Sequence, residues 1–237
     1  MILHLISGPR NISTALMYAF AQRPDTQVLD EPFYAFYLQH TGLQHPGREE
    51  VLKSMSQNPG EVFTLIEATE KQKEHVFVKN MGHHLQGFNY SRIRNYQNIF
   101  LIRHPGQMLV SYAKVREEPT LNDIGLQHQA EIYNRLTSEG PEPIVLDGNE
   151  IRKNPELVLR QLCERLDIPF TKAMLRWPPG PRPEDGVWAP YWYSKVHQST
   201  QFMPQDKEEI AVPAQLVPVY EAALPYYLFL LDKAIKA

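Results

Sequence analysis

The sequence contains a single cysteine, Cys163. One thiol excludes an intramolecular disulfide and a cysteine-based zinc cluster, and its place in a helical apolar pattern makes it a small core residue. There is no excess of positive charge. The 24 Lys and Arg against 27 Asp and Glu leave a net charge of −3, so a nucleic-acid or anionic-membrane surface is not expected and any basic site must be local. No apolar run reaches membrane-spanning length. The apolar start, Met1 to Ile6, is too short for a signal peptide and lacks a basic flank. Internal repeats and low-complexity linkers are also missing. The expectation is a cytoplasmic protein with no membrane or nucleic-acid partner. Its 237 residues suffice for one domain over 1–237 with a sizeable core.

What the sequence does have is a marked beginning. The apolar run ends at Ser7-Gly8-Pro9, followed by Arg10, Asn11, Ile12, Ser13 and Thr14, then the helical stretch Ala15 to Phe20. The order is strand, tight loop, helix start. A helix N-terminus presents unpaired N–H groups and the positive end of its dipole. A loop of Gly, hydroxyls, an amide and an Arg placed there suits phosphate, sulfate or carboxylate. The bland alternative is a plain turn with Ser13 as N-cap. The loop is not a Walker A motif. Counted from Gly8, Ser13 stands at the second Gly and Thr14 at the Lys.

The helix should end near Arg23, before Pro24, and a second strand spans Gln27 to Asp30. Glu31 follows it, at a strand end where open α/β sheets hold ligands. It is a candidate general base, against an exposed loop acid or a partner for a nearby Arg. Pro32 favours extended backbone at Glu31. Chain geometry is expected to return this strand beside the first. Residues 34–60 read as an insertion or lid, with a helical stretch at 48–57, and 61–73 reads as a helix. A third, central strand covers His75 to Lys79. Lys79 at its end either points at developing negative charge or snorkels to solvent. His83 and His84 follow. Being adjacent, at most one of them faces a site, and they are poor evidence for a metal.

Asn98 to Ile102 is the cleanest buried strand. It ends in Arg103-His104-Pro105, and a helix over Gly106 to Lys114 carries Ser111. Arg103 suits bidentate phosphate binding, or a salt bridge at the sheet end. Residues 122–138 read as one helix and Pro143 to Asp147 as a strand. Asn154 caps a helix, with Pro155 at its first position. The part from about 170 is more helical. It holds a Pro/Gly/Arg loop over 177–183 with Arg182, then a cluster of Tyr191, Trp192, Tyr193, Lys195 and His197. An apolar helix from Leu224 to Ile235 belongs to the core or to a homodimer surface. The alternation predicts an α/β fold of three layers, α/β/α, around a mostly parallel sheet with P-loop-like topology.

Two strand-end motifs together carry a resemblance. Pro9-Arg10-Asn11-Ile12-Ser13-Thr14 is similar to the loop that wraps the 5′-phosphosulfate in sulfotransferases using 3′-phosphoadenosine 5′-phosphosulfate (PAPS). Arg103-His104-Pro105, with Ser111 eight residues after the Arg, resembles their 3′-phosphate motif. The resemblance implies a PAPS-dependent enzyme that needs no metal. The sulfuryl group would pass to a hydroxyl or amine of a small-molecule or carbohydrate-like acceptor. Arg10, the loop N–H groups and Lys79 would stabilise the leaving oxygen. Glu31 would be the base, with His83 or His84 second. The chain departs from the family in having Asn80-Met81 where the cytosolic branch has its catalytic His. It also lacks the late Arg-Lys-Gly run, for which Arg182 is a loose stand-in. A magnesium-dependent P-loop kinase with a degenerate loop and a non-catalytic module binding PAPS or its product PAP are the alternatives.

Overall fold

The computed structural model describes residues 1–87, 89–113, 118–204 and 211–237. In chain order its elements are β1 (Ile2–Ser7), α1 (Ser13–Ala21), β2 (Thr26–Asp30), α2 (Tyr34–Thr41), α3 (Arg48–Ser54), α4 (Pro59–Glu70), β3 (His75–Met81), β4 (Gln97–Ile102), α5 (Pro105–Tyr112), α6 (Leu121–Ile124), α7 (Leu126–Glu139), β5 (Ile144–Asp147), α8 (Gly148–Lys153), α9 (Pro155–Arg165), α10 (Ala189–Trp192), α11 (Ser194–His197), α12 (Val217–Leu231) and β6 (Ala234–Ile235). The strands form one six-stranded sheet in the order β2-β3-β1-β4-β5-β6. Every pairing is parallel. The side-chain period of a strand splits β1 between two cores. Leu3 and Leu5 pack toward α1 and α9 on one face. Ile2 and Ile6 pack toward α4, α5, α7 and α12 on the other. A third cluster joins α2 and α3 to Trp188, Ala189 and Tyr193 of the C-terminal part.

The three-layer α/β architecture read from the sequence is the one observed, and several local readings are corrected. The second strand does not lie beside the first, because β3 runs between them. Burial accounts for the order. All but the last residue of β3 are buried, which suits a central strand, whereas β2 alternates buried with more exposed residues, as an edge strand does. The predicted 122–138 helix is broken into α6 and α7 by Gly125 at φ +69, a left-handed conformation that glycine adopts at no steric cost. The last helix starts at Val217 and stops at Leu231, and Ala234–Ile235 adds a sixth strand beside β5. A helix over Gly148–Lys153 had no sequence counterpart; Asp147 caps it through Asn149 N and Glu150 N. Cys163 is buried in α9 as expected. Lys114, predicted in the α5 helix, lies outside the described residues. Among the described residues no helix is long and apolar enough to cross a membrane.

Candidate functional site

The site lies along the C-terminal ends of β2, β3, β1, β4 and β5, where a parallel sheet leaves helix N-termini and loops converging. At β1 the loop Gly8–Ile12 turns into α1. Ser13 is not the N-cap. Ile12 holds that position without a capping side chain, Ser13 is the first helical residue, and no acid occupies the first turn. The opening N–H groups of α1 therefore receive no side-chain cap. Arg10 has a left-handed φ of +55, costly for a residue with a Cβ, and it is gripped from both sides. Its Nε donates to Ser111 Oγ at 3.2 Å, and its carbonyl accepts from Arg103 Nη1. Asn11 Nδ2 donates to Leu101 O at 3.1 Å. Gly8 is required: a Cβ there would lie 2.9 Å from Met108 Cε and 3.0 Å from Ile124 O. Two motifs about a hundred residues apart are thus in direct contact.

Arg103 is partly buried, and its basicity is pushed down to about 10 by desolvation and by the like charges of Arg152 and Arg10. Its Nε donates to Gln107 Oε1 at 3.2 Å. Ser13 and Thr14 are buried at the start of α1. Arg182 is not drawn into this group. Its guanidinium lies 4.5 Å over the Tyr18 ring and donates to Pro178 O.

At β2 and β3 the structure builds a buried charged network. Lys79 neither snorkels nor ends its strand: it is 0 % exposed and β3 continues to Met81. Its Nζ donates to Asp30 Oδ1 at 2.8 Å, Glu31 Oε1 at 2.5 Å and Tyr193 OH at 2.7 Å, which uses all three of its protons. Tyr193 OH donates to Asp30 Oδ2 at 2.7 Å and accepts from Trp188 Nε1 at 3.1 Å. Glu31 is therefore neither an exposed loop acid nor an Arg partner. Burial raises its pKa first of all, against the lowering effect of Lys79. Lys79 stays a cation because Asp30 and Glu31 outweigh its desolvation. The backbone of Glu31 is left-handed at φ +44, not extended. Its N–H bonds Lys79 O and its carbonyl takes Tyr34 N–H, a tight turn that aims the carboxylate back over the sheet end.

Both histidines are close, and they differ. His84 Nδ1 lies 3.7 Å from Glu31 Oε2, with its ring stacked on Tyr34. His83 packs on Tyr37. Desolvation keeps both neutral, His83 with a pKa of about 3. So of the two it is His84 that lies beside the carboxylate, outside hydrogen-bond distance. Sequence reasoning missed Asp30, Tyr193 and Trp188. Asp30 was readable as the residue before Glu31. The role of the other two depends on packing across the sheet.

Comparison with known proteins bears on the family and the fold. A model of the sulfotransferase domain matches residues 1–234. The chain is 40% identical over 227 residues to branched-chain-amino-acid aminotransferase-like protein 1 of Arabidopsis thaliana, covering 95% of this chain and 41% of that protein. For protein 2 of the same name the identity is 37%, covering 40% of that protein. The chain thus spans about two-fifths of the length of these relatives. Among solved structures, the sulfotransferase domain of the Synechococcus PCC 7002 olefin synthase superposes with a TM-score of 0.56 at 17% identity, over 93% of both chains. A sulfotransferase from Alicyclobacillus acidocaldarius gives 0.57 at 13%, over 98% of this chain and 96% of the other. At such identities the likeness concerns the fold. The family match runs from β1 to the start of β6, so the sheet and the strand ends that build the site lie inside it: this chain belongs to the sulfotransferase domain family.

Proposed function

We propose that the chain transfers a sulfuryl group from PAPS to a hydroxyl or amine of a small-molecule or carbohydrate-like acceptor, without a metal. The observation that carries this reading is the contact of the two anion motifs, Arg10 with Ser111 and with Arg103. The α1 N-terminus and Arg10 suit the phosphosulfate, and Arg103 with Ser111 suits the 3′-phosphate. In the reaction the acceptor oxygen or nitrogen attacks sulfur in line. The bond from sulfur to the bridging oxygen breaks, PAP leaves, and the acceptor proton goes to a base. Fixed donors at the loop stabilise the charge that develops on the bridging oxygen.

Glu31 is the base in this reading. Lys79 occupies Oε1, and Oε2 is the oxygen turned toward His84. Asp30, which accepts hydrogen bonds from Lys79, Tyr193 and Gly186, is the fixed counter-ion. Two neighbouring carboxylates thereby acquire different roles from their surroundings. Lys79 acts by holding Glu31, since its protons are all engaged. Helices α2 and α3 are proposed as a lid on the acceptor side. The test is incubation with PAPS and a panel of phenols, sugars and amines in EDTA, reading PAP and sulfated product by mass spectrometry. Product that depends on Arg10 and Arg103 is expected. Tight PAP binding without turnover of any acceptor would instead mark a binding module.

A further inference from the structure

Gln129 is fully buried, yet it belongs neither to the two anion motifs nor to the network around Lys79. It lies in the first turn of α7, just after the left-handed Gly125 that separates α6 from α7, and its backbone N–H bonds Gly125 O at 2.9 Å. The carboxamide reaches the sheet end. Its Nε2 donates to Ile6 O at 3.0 Å and to Leu101 O at 3.2 Å, the carbonyls of the penultimate residues of β1 and β4. These are the strands that lead into Arg10 and Arg103. Leu101 O is shared: it also accepts from Asn11 Nδ2 at 3.1 Å, while Asn11 Oδ1 accepts from Ile12 N at 2.9 Å. One carbonyl thus ties α7 to the N-cap of α1. The same side chain braces two glycines. A Cβ at Gly8 would lie 3.5 Å from Gln129 Oε1, and one at Gly82 would lie 3.4 Å from Gln129 Cγ. Stability alone does not account for a carboxamide here. Its Oε1 has no hydrogen-bond partner among the described residues, and burying an unpaired carbonyl oxygen is unfavourable where an apolar side chain of the same length would fill the space. What an apolar side chain would not do is tie Ile6 O to Leu101 O.

We propose that Gln129 is a positioning residue of the donor site: without touching the nucleotide, it fixes the Arg10–Asn11 loop against the end of β4 and so sets donor affinity. This rests on the PAPS reading above. Arg10 holds a left-handed φ of +55, a conformation that persists only where its surroundings over-determine it. Gln129 and Asn11, meeting at Leu101 O, supply that constraint from the sheet side. A loop held in its binding geometry beforehand does not have to be ordered when the anion arrives.

The experiment is calorimetric titration of PAP, without magnesium, into wild type, Gln129→Met, Asn11→Ala, the double variant and Leu136→Ala, with the melting temperature of each recorded. Leu136 is a buried core residue further along α7 and serves as the control for loosened packing. Gln129→Met should weaken PAP by about tenfold, the scale of one lost phosphate contact. Leu136→Ala should keep PAP affinity within about twofold of wild type while melting at least as low as Gln129→Met. Because Gln129 and Asn11 act through one carbonyl, the double variant should lose much less than the product of the two single losses. If Gln129→Met binds PAP like wild type, if its loss and that of Asn11→Ala simply multiply, or if Leu136→Ala loses as much, the inference fails and the donor reading stands. If wild type does not bind PAP, the donor reading fails and the inference with it. Should Gln129→Met not fold, Gln129→Asn is titrated in its place. It keeps the carboxamide but not the reach to both carbonyls, so a similar loss is expected, and wild-type affinity overturns the proposal.

Discussion

Lys79 Nζ lies 2.5 Å from Glu31 Oε1, and both side chains are buried. The ammonium also holds Asp30 at 2.8 Å, so one cation serves two carboxylates from consecutive residues. Breaking such a group by removing one partner leaves uncompensated buried charge. Lys79→Met should cost roughly 3–5 kcal/mol at pH 7.5. Without Lys79, Glu31 loses the cation that opposes the effect of burial on its pKa, so the loss should shrink at pH 5, where Glu31 takes up a proton more readily. Urea denaturation at both pH values checks this. A loss below about 1 kcal/mol at each would mean the ion pairs carry little of the local stability.

The same pairing bears on catalysis. Glu31→Gln keeps the shape of the side chain but not its basicity. Nucleotide affinity should stay at the wild-type level while turnover falls roughly 10²–10⁴-fold, the usual worth of a general base. His83→Ala and His84→Ala are the comparison, once an acceptor is found. If Glu31→Gln turns over normally and one His variant collapses, that His is the base.

Arg103 donates to the carbonyl of Arg10 and to Gln107, so it both shapes the loop and presents charge to the nucleotide. A charge-assisted phosphate contact contributes about 1.5–3 kcal/mol. Arg103→Ala should therefore weaken PAP by at least about tenfold in calorimetry. Unchanged affinity in a folded variant removes Arg103 from the site.

Donor class is separable by thermal shift. The loop has Thr14 where a Walker motif has its Lys, so PAP should raise the melting temperature in EDTA and do so more than ATP. Magnesium-dependent stabilisation by ATP, with none by PAP, would make the protein a phosphotransferase.

His4, far from the nucleotide motifs in role, sets an acid limit. Asn98 gives both its amide protons to Ile93 O and Tyr96 O, which turns its Oδ1 to His4 Nδ1 at 2.9 Å. Asn80 Nδ2 faces Nε2 at 3.1 Å. A ring that donates at Nδ1 and accepts at Nε2 is neutral. Burial lowers its pKa from 6.5 to about 4. The unfolded chain therefore binds this proton first, so the stability is fully present above pH 6.5 and is lost as pH falls from 6.5 to about 4. Replacing His4 by Gln should flatten the stability–pH curve near pH 5 by up to about 1.4 kcal/mol per pH unit. An unchanged slope in urea titrations at pH 4.5, 5.5 and 6.5 would show that His4 takes up no extra proton on unfolding.

What the sequence by itself determined is local. The strand–loop–helix at Gly8 to Thr14, the apolar strand leading into Arg103, and the Asn154-Pro155 helix start each follow from residues within a few positions of one another. So does the alternation that makes the protein α/β, because side-chain periodicity is a short-range signal. Tertiary structure decided what depends on strand order. By inserting β3 between β1 and β2, it placed Lys79 beside Asp30 and Glu31 and thus turned a strand-end lysine into a buried counter-ion. It brought Tyr193, more than a hundred residues away, onto the same ammonium. Propensity does not encode such partners: burial in low dielectric penalises any unpaired charge, and which groups meet it is fixed only when the sheet and its covering helices close together.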